Sequence, residues 1–397
     1  MTANSTEPTP EPLRLRVLGT RIDVHFEEGV TPAQAAMMRG AWSRCLETRG
    51  GATPGLRAAP RSLGAAGVYS ARVASERGVQ PVAAGSFGQF AADLTSVVTV
   101  AAIEARAGEL MMLHASALAD PASGRAVALV GRSGMGKTTA TRVLGGRFSY
   151  VTDETVAIDR EGLIAPYPKP LSIIETEPPA PKSQVGPDEL GLRAAPAQAR
   201  LAAVVLLDRD PEAPRPRVVT LGHADAIVAL APHTSALAQT ARPLAWLCTL
   251  LDTCGGAVRV TYREAHELPQ LVEGLFERRP VEPRWAPAGL DGSETAGDDG
   301  VPRGALLHRG RVVDAVEIID AEGPGTELLV MAGTSVVRLS GVAPAIWRAL
   351  ATPASLAQLA SRIGPETSLP ADYEARLLGA VTELERHALL RWAEIGH

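Results

Sequence analysis

The sequence predicts an α/β chain of two domains, the first a mixed sheet with helices and the second a small winged helix-turn-helix. Three observations carry this. Short apolar or β-branched runs alternate with stretches of helical spacing from Leu13 to Phe276. A segment rich in Pro, Gly and acid, VEPRWAPAGLDGSETAGDDGVPRG (Val281–Gly304), interrupts that order and reads as a linker. Behind it, three short strands precede three helices. At 397 residues the chain also exceeds the roughly 250–300 residues at which single cores stop growing. The expected layout is a disordered polar tail (1–10), a first domain (11–280), the linker (281–304) and a second domain (305–397).

In the first domain RLRVLGTRIDVHF alternates as strand material over Leu13–Phe26, and Pro32–Thr48 places Ala, Met and Trp on one helical face. Ser96–Leu118 leads from a helix into a strand, Pro121–Gly124 is a turn, and RAVALV (Arg125–Val130) is a short buried strand. A glycine-rich loop follows at once, with a helix beginning at Thr138–Leu144. Phe148–Asp159 reads as strand, acidic turn, strand; Leu201–Asp208 as a buried strand; Pro243–Cys254 and Arg263–Phe276 as helices. In the second domain RVVDAVEIID, ELLVMAG and SVVRL are the strands, and APAIWRALA, SLAQLASRI and DYEARLLGAVTELERHALL the helices.

Composition excludes several classes. With 46% hydrophobic and 21% charged residues the chain is a folded globular protein. A net charge of −5 gives no overall attraction to nucleic acid or an anionic membrane. No stretch reaches the roughly 18 apolar residues of a membrane span, and MTANSTEPTPEPLRLRV lacks the basic and apolar blocks of a signal peptide. A cytoplasmic location is expected. Cys45, Cys248 and Cys254 are odd in number and without metal-type spacing, so they read as free thiols.

Chemistry concentrates in GRSGMGKT, Gly131–Thr138, which fits the phosphate-loop pattern GxxxxGK[ST] between a strand and a helix. Glycines let main-chain N–H groups turn toward phosphate oxygens, and the helix that follows adds its positive end. Gly131, Ser133, Gly134, Met135, Gly136, Lys137, Thr138 and Thr139 are the expected nucleotide contacts, with Lys137 reaching the β- and γ-phosphates and Thr138 holding Mg²⁺. Lys137 is one of only three lysines in the chain. A compact ammonium fits beneath the phosphates where the wider guanidinium of Arg does not. ATP and Mg²⁺ are therefore the expected cofactors. Sixteen residues beyond Lys137 stand Asp153 and Glu154 at a strand end, placed to hold Mg²⁺ or to accept a proton from an attacking hydroxyl. His114 lies on the strand that pairs into the same hairpin as the loop strand.

The stretch LMMLHASALADPASGRAVALVGRSGMGKTTATRVLGGRFSYVTDE resembles the HPr serine kinase/phosphorylase superfamily, whose fold is related to phosphoenolpyruvate carboxykinase. The resemblance is good over Ser96–Asp159 and thinner out to Phe276. It implies a histidine on a strand before the loop (His114) and an acidic pair after it (Asp153, Glu154), with Asp153 the base for an acceptor hydroxyl and His114 and Lys137 acting on the phosphates. This sequence departs at Thr139, where that family has an acid, and at Glu154, where it has Asp. It lacks the downstream motif linked to phosphorolysis. LHAS (Leu113–Ser116) and YPKPLS (Tyr167–Ser172) are similar to the kinases of lasso-peptide clusters, and Lys169 would line the peptide or phosphate site.

The C-terminal part, TSVVRLSGVAPAIWRALATPASLAQLASRIG followed by LLGAVTELERHALL, resembles the PqqD family of leader-peptide recognition elements across Leu306–Trp392. That resemblance implies a leader added as a strand beside Val336, Val337 and Leu339 and packed on Ala375, Leu378 and Val381. The third helix carries Asp372, Glu374, Glu383 and Glu385 against Arg376 and Arg386, which disfavours DNA. Together the two resemblances imply an ATP-dependent Ser/Thr kinase acting on a ribosomally made precursor peptide, with other peptide-maturation enzymes and, in a homo-oligomer, further copies of the chain as partners. The alternatives are a regulatory serine kinase of the HPr type and a non-catalytic nucleotide-binding partner that delivers peptides.

Overall fold

The computed structural model describes residues 10–47, 68–132, 135–173, 182–290, 306–319, 326–363 and 373–393. The chain divides into two compact units: residues 1–221, 233–240 and 253–280 form the first, and residues 222–232, 241–252 and 281–397 the second.

The first unit opens with a four-stranded antiparallel sheet of Leu13–Val17, Thr20–Phe26, Tyr69–Ser75 and Gly78–Ala84. What alternates as one strand over Leu13–Phe26 is a hairpin, turned at Leu18 and Gly19, where φ is +49° and +78°. Two consecutive left-handed residues match the twist of the flanking strands. Leu18 tolerates that backbone because its side chain is fully buried. Helix Phe87–Arg106 begins where Ser86 Oγ accepts from Gln89 N, and it lays Phe90, Leu94, Val98 and Ala102 into the core of this sheet.

A second sheet carries the chemistry. Its order is Arg217–Leu221, Ala257–Tyr262, Ala199–Arg209, Arg125–Val130, Met111–Ala119, Thr155–Ile158, Leu163–Ala165. Ala199–Arg209 runs parallel to both Arg125–Val130 and Ala257–Tyr262, whereas Met111–Ala119 is antiparallel to its loop-strand neighbour. Burial on both faces explains why the central strands read as continuous apolar runs. Ala140 and Leu144 of helix Lys137–Gly145 pack with Val127, Leu129, Val205 and Phe276 on one face. The Arg263–Phe276 stretch, expected as one helix, is broken into Ala265–Glu267, Leu268–Glu273 and Gly274–Glu277, the outer two being 3₁₀ turns. Pro269 at the start of the middle piece and Gly274 at its end account for the breaks.

In the second unit Asp314–Ile319, Thr326–Ala332 and Ser335–Leu339 form an antiparallel meander, followed by helices Ala343–Ala349, Leu356–Ile363 and Tyr373–Arg386. Ala315, Leu328, Val330 and Leu339 meet Ile346, Trp347, Leu359, Val381 and Leu384 in one core. Val316, Ile318, Leu329 and Met331, which alternate with them, are buried too. On that second face Asp314 Oδ2 accepts from Leu244 N (2.9 Å) and Ala245 N (3.0 Å), and Arg338 pairs with Asp225 at 2.8 Å. Helices His223–Leu230 and Pro243–Thr253 thus have residues in the second unit although their sequence lies within 11–280. Residues 281–304, read as linker, include a strand, Trp285–Pro287, paired with Asp314–Ile319. Trp285 Nε1 donates to Asp252 Oδ2 at 2.7 Å, which ties that strand down. The remainder of the linker beyond Leu290, and the tail before Pro10, lie outside the described residues.

Cys45, Cys248 and Cys254 are free and buried. Among the described residues no helix is long and apolar enough to cross a membrane.

Candidate active site

The phosphate loop leaves the C-terminal end of Arg125–Val130, beside the C-terminal ends of the two strands parallel to it. In open α/β sheets that edge is where ligands bind. Gly131 is buried, Met135 and Gly136 are half-buried, and Ser133 and Gly134 lie outside the described residues. Gly136 caps the helix with φ +79°, a left-handed conformation that calls for glycine. Tyr262, from the end of Ala257–Tyr262, donates its hydroxyl to Met135 O at 3.0 Å and pins the loop from the side. Lys137 and Thr138 open the helix, half-buried, and Thr139 is exposed.

Lys137 Nζ donates to Gly131 O at 2.6 Å and to Arg132 O at 3.3 Å, so the ammonium lies over its own loop. Desolvation lowers its pKa, opposed by the Asp153 and Glu154 carboxylates. The acidic pair sits in the turn between Ser149–Thr152 and Thr155–Ile158, and both of those strands pair with Met111–Ala119. Ala115 N donates to Glu154 O at 3.1 Å, and His114 pairs with Thr155. His114 is the one exposed residue of its strand. Desolvation and then the Lys137 cation push its pKa down, while Glu154 and Asp153 pull it up. His114, Lys137, Asp153 and Glu154 therefore act on one another's charge.

Asp153 is buried, and burial raises its pKa against the opposing charge of Lys169. Lys169 is the surprise of the site. Its ammonium lies 3.1 Å from Asp153 Oδ1 and 3.1 Å from Glu154 Oε2, and the residue is 1% exposed. Expected to line the peptide or phosphate site, it is buried and paired with both members of the acidic pair. Local sequence explains the placement: Pro168 and Pro170 restrict the backbone on either side, and Tyr167 is anchored in the core through its 2.7 Å hydroxyl contact with Thr99.

One residue that spacing did not reveal joins the group. Thr234–Ser235 pairs antiparallel with Met111–Ala119, matching Thr234 to Leu113, and His233 ends the 3₁₀ turn just before it, within reach of the charge of His114. The half-buried His233 has its pKa lowered by desolvation and then by Lys137, His114 and Arg132. Only the clustering of apolar runs around His233 could have hinted at it, since the two histidines are 119 positions apart in sequence.

Among the described residues no three His, Cys, Asp or Glu side chains gather as a metal cluster. The hydroxyl of Thr138 and the carboxylates of Asp153 and Glu154 are hard oxygen donors of the kind Mg²⁺ takes when phosphates complete its shell. Those residues fit the ion.

In the second unit Leu339 and Val381 are 4% and 1% exposed and belong to the core, so their side chains are not open to a peptide. Val337 packs against that core, Val336 is half-buried on the opposite face, and Ala375 and Leu378 point outward, Leu378 at 50% exposure. Ser335–Leu339 is the end strand in the described sheet order.

No protein-family model matches the chain, and no curated protein matches it. Among solved structures the chain is similar to the Hpr(Ser) kinase/phosphatase from Coxiella burnetii, at 15% identity and a TM-score of 0.23, over 41% of this chain and 92% of that one.

Proposed function

We propose that the chain is an ATP-dependent kinase that transfers the γ-phosphoryl group to a Ser or Thr hydroxyl of a ribosomally made precursor peptide. The observation that carries this reading is the sheet in which the strand of His114 pairs on one side with the strand that ends in the loop headed by Lys137 and on the other with the strands flanking Asp153 and Glu154. Phosphoryl transfer asks for little more than positioning and charge stabilisation, and these groups supply both.

The acceptor hydroxyl oxygen bonds to the γ-phosphorus as the bond from that phosphorus to the β–γ bridging oxygen breaks. ADP leaves, and the hydroxyl proton passes to Asp153. A raised carboxyl pKa suits that task, because a base works best when its pKa approaches the working pH. Lys137 stabilises charge on the β- and γ-phosphates, and neutral His114 donates a hydrogen bond to them. Mg²⁺, when bound through Thr138, Asp153 or Glu154, neutralises charge on the triphosphate.

In this reading the second unit holds the leader of the peptide along Ser335–Leu339, through main-chain hydrogen bonds, with Ala375 and Leu378 beside it. Tethering raises the local concentration of the acceptor. The test is mass spectrometry of a candidate leader-bearing peptide after incubation with ATP and Mg²⁺, which should show a gain of about 80 Da for one phosphoryl group. A leaderless peptide should react with a far higher KM. If an HPr-like carrier protein is modified and the peptide is not, the peptide reading fails.

A further inference from the structure

Lys169 places a full positive charge where the protein interior is least able to tolerate one. Its Nζ is held by Asp153 Oδ1 at 3.1 Å, Glu154 Oε2 at 3.1 Å and Pro170 O at 2.9 Å. An ammonium has three protons to donate, and three acceptors surround this one. Tyr150 closes the cluster: its buried hydroxyl lies 3.3 Å from Asp153 Oδ1 and 3.1 Å from Lys169 O. An isolated buried ammonium is very costly, so the fold keeps it only because two carboxylates answer it. Those contacts use one oxygen of each carboxylate, and of the two side chains Glu154 is the more open, at 31% exposure against 3% for Asp153.

The charge balance has a consequence. The two carboxylates are paired with Lys169 and also feel the Lys137 cation. Two ammonium groups offset two carboxylates, and the neutral imidazoles of His114 and His233 add nothing. Little net charge remains to draw a free divalent cation into the site. Triphosphate brings the missing negative charge and draws Lys137 onto itself.

We propose that Lys169 is a positioning residue, a built-in counter-ion that fixes Asp153 and Glu154 as a pair and makes divalent-metal entry depend on bound triphosphate. The proposal rests on the phosphoryl-transfer reading of the site, and its test separates the two. Mn²⁺ uptake by the full chain is followed by electron paramagnetic resonance, with and without a non-hydrolysable ATP analogue.

Wild-type protein should take up Mn²⁺ with the analogue and not alone. Lys169→Met removes a positive charge beside the metal and should bind Mn²⁺ alone at least about tenfold more tightly than wild type, and adding Glu154→Gln should abolish that gain. Equal uptake by wild type and Lys169→Met without nucleotide overturns the proposal. Should Lys169→Met fail to fold by circular dichroism, Lys169→Gln and the wild type decide: wild-type Mn²⁺ affinity unchanged by the analogue also overturns it. If wild type does not bind the analogue at all, the kinase reading falls, while the metal-only comparison still judges Lys169.

Discussion

Replacing Asp314 with Ala removes a carboxylate that is 0% exposed and anchors the helix Pro243–Thr253 to the sheet of the second unit. Three amides lose their acceptor, Leu244 N at 2.9 Å, Ala245 N at 3.0 Å and Ala315 N at 2.9 Å, and Arg242 Nε loses a partner at 3.1 Å. Hydrogen bonds to a charged group are worth about 1.5–3 kcal/mol each. The Arg242 side chain is 40% exposed and water can replace its partner, so it adds little. Counting the two helix-end amides at the low end and the third at about 1 kcal/mol gives a loss of about 4 kcal/mol. Asp314→Asn keeps an acceptor oxygen and should lose about half as much. Four of the five tryptophans, Trp246, Trp285, Trp347 and Trp392, belong to the second unit, so fluorescence during urea unfolding reports on it. At a slope of about 2 kcal/mol/M the midpoint should fall by about 2 M for Ala. A drop below about 0.5 M would refute the view that this carboxylate holds helix and sheet together.

Tyr262→Phe frees Met135 O and should weaken nucleotide binding by roughly three- to tenfold, about 1 kcal/mol, with the melting temperature nearly unchanged; calorimetry reads it, and unaltered affinity contradicts the loop-pinning role. Desolvation and Lys137 hold His114 and His233 below the ordinary histidine range, so both are neutral at pH 7 and gain charge only on acidification. NMR titration of the two imidazoles should show midpoints below about 6.5, and midpoints above it would remove them from Lys137. His233→Gln should raise KM for ATP more than it lowers kcat. On the second unit, Leu378→Glu should weaken leader binding without loss of stability, whereas Val381→Glu should unfold the unit by burying a charge; equal stability losses would show that Leu378 is core after all.

The loop was legible because it is local. Strand, glycines, lysine and helix follow one another within Arg125–Gly145, and each residue type answers a need that few others meet. The acidic turn at Asp153 was legible for the same reason, bounded by two short apolar runs. Contacts closed by long excursions were not. His233 is brought toward His114 by the two-residue strand that follows it, too short to leave a periodic pattern. Lys169 gave no sign that it pairs with both carboxylates, because sequence shows a lysine between prolines and not which way it points. Helices His223–Leu230 and Pro243–Thr253 were recognisable as helices, but their attachment to the second unit depends on Asp225 meeting Arg338 and Asp314 meeting two amides, pairings that periodicity does not encode. Alternation over Leu13–Phe26 concealed a turn because Leu18 is as apolar as its neighbours.

The most direct measurement is transfer of label from γ-labelled ATP to a leader-bearing peptide by wild type and by Asp153→Asn, with nucleotide affinity measured in parallel. The account predicts label on a Ser or Thr of the peptide with wild type, and a rate at least about a hundredfold lower with the variant at near-normal ATP affinity. Transfer at the wild-type rate by Asp153→Asn would contradict it.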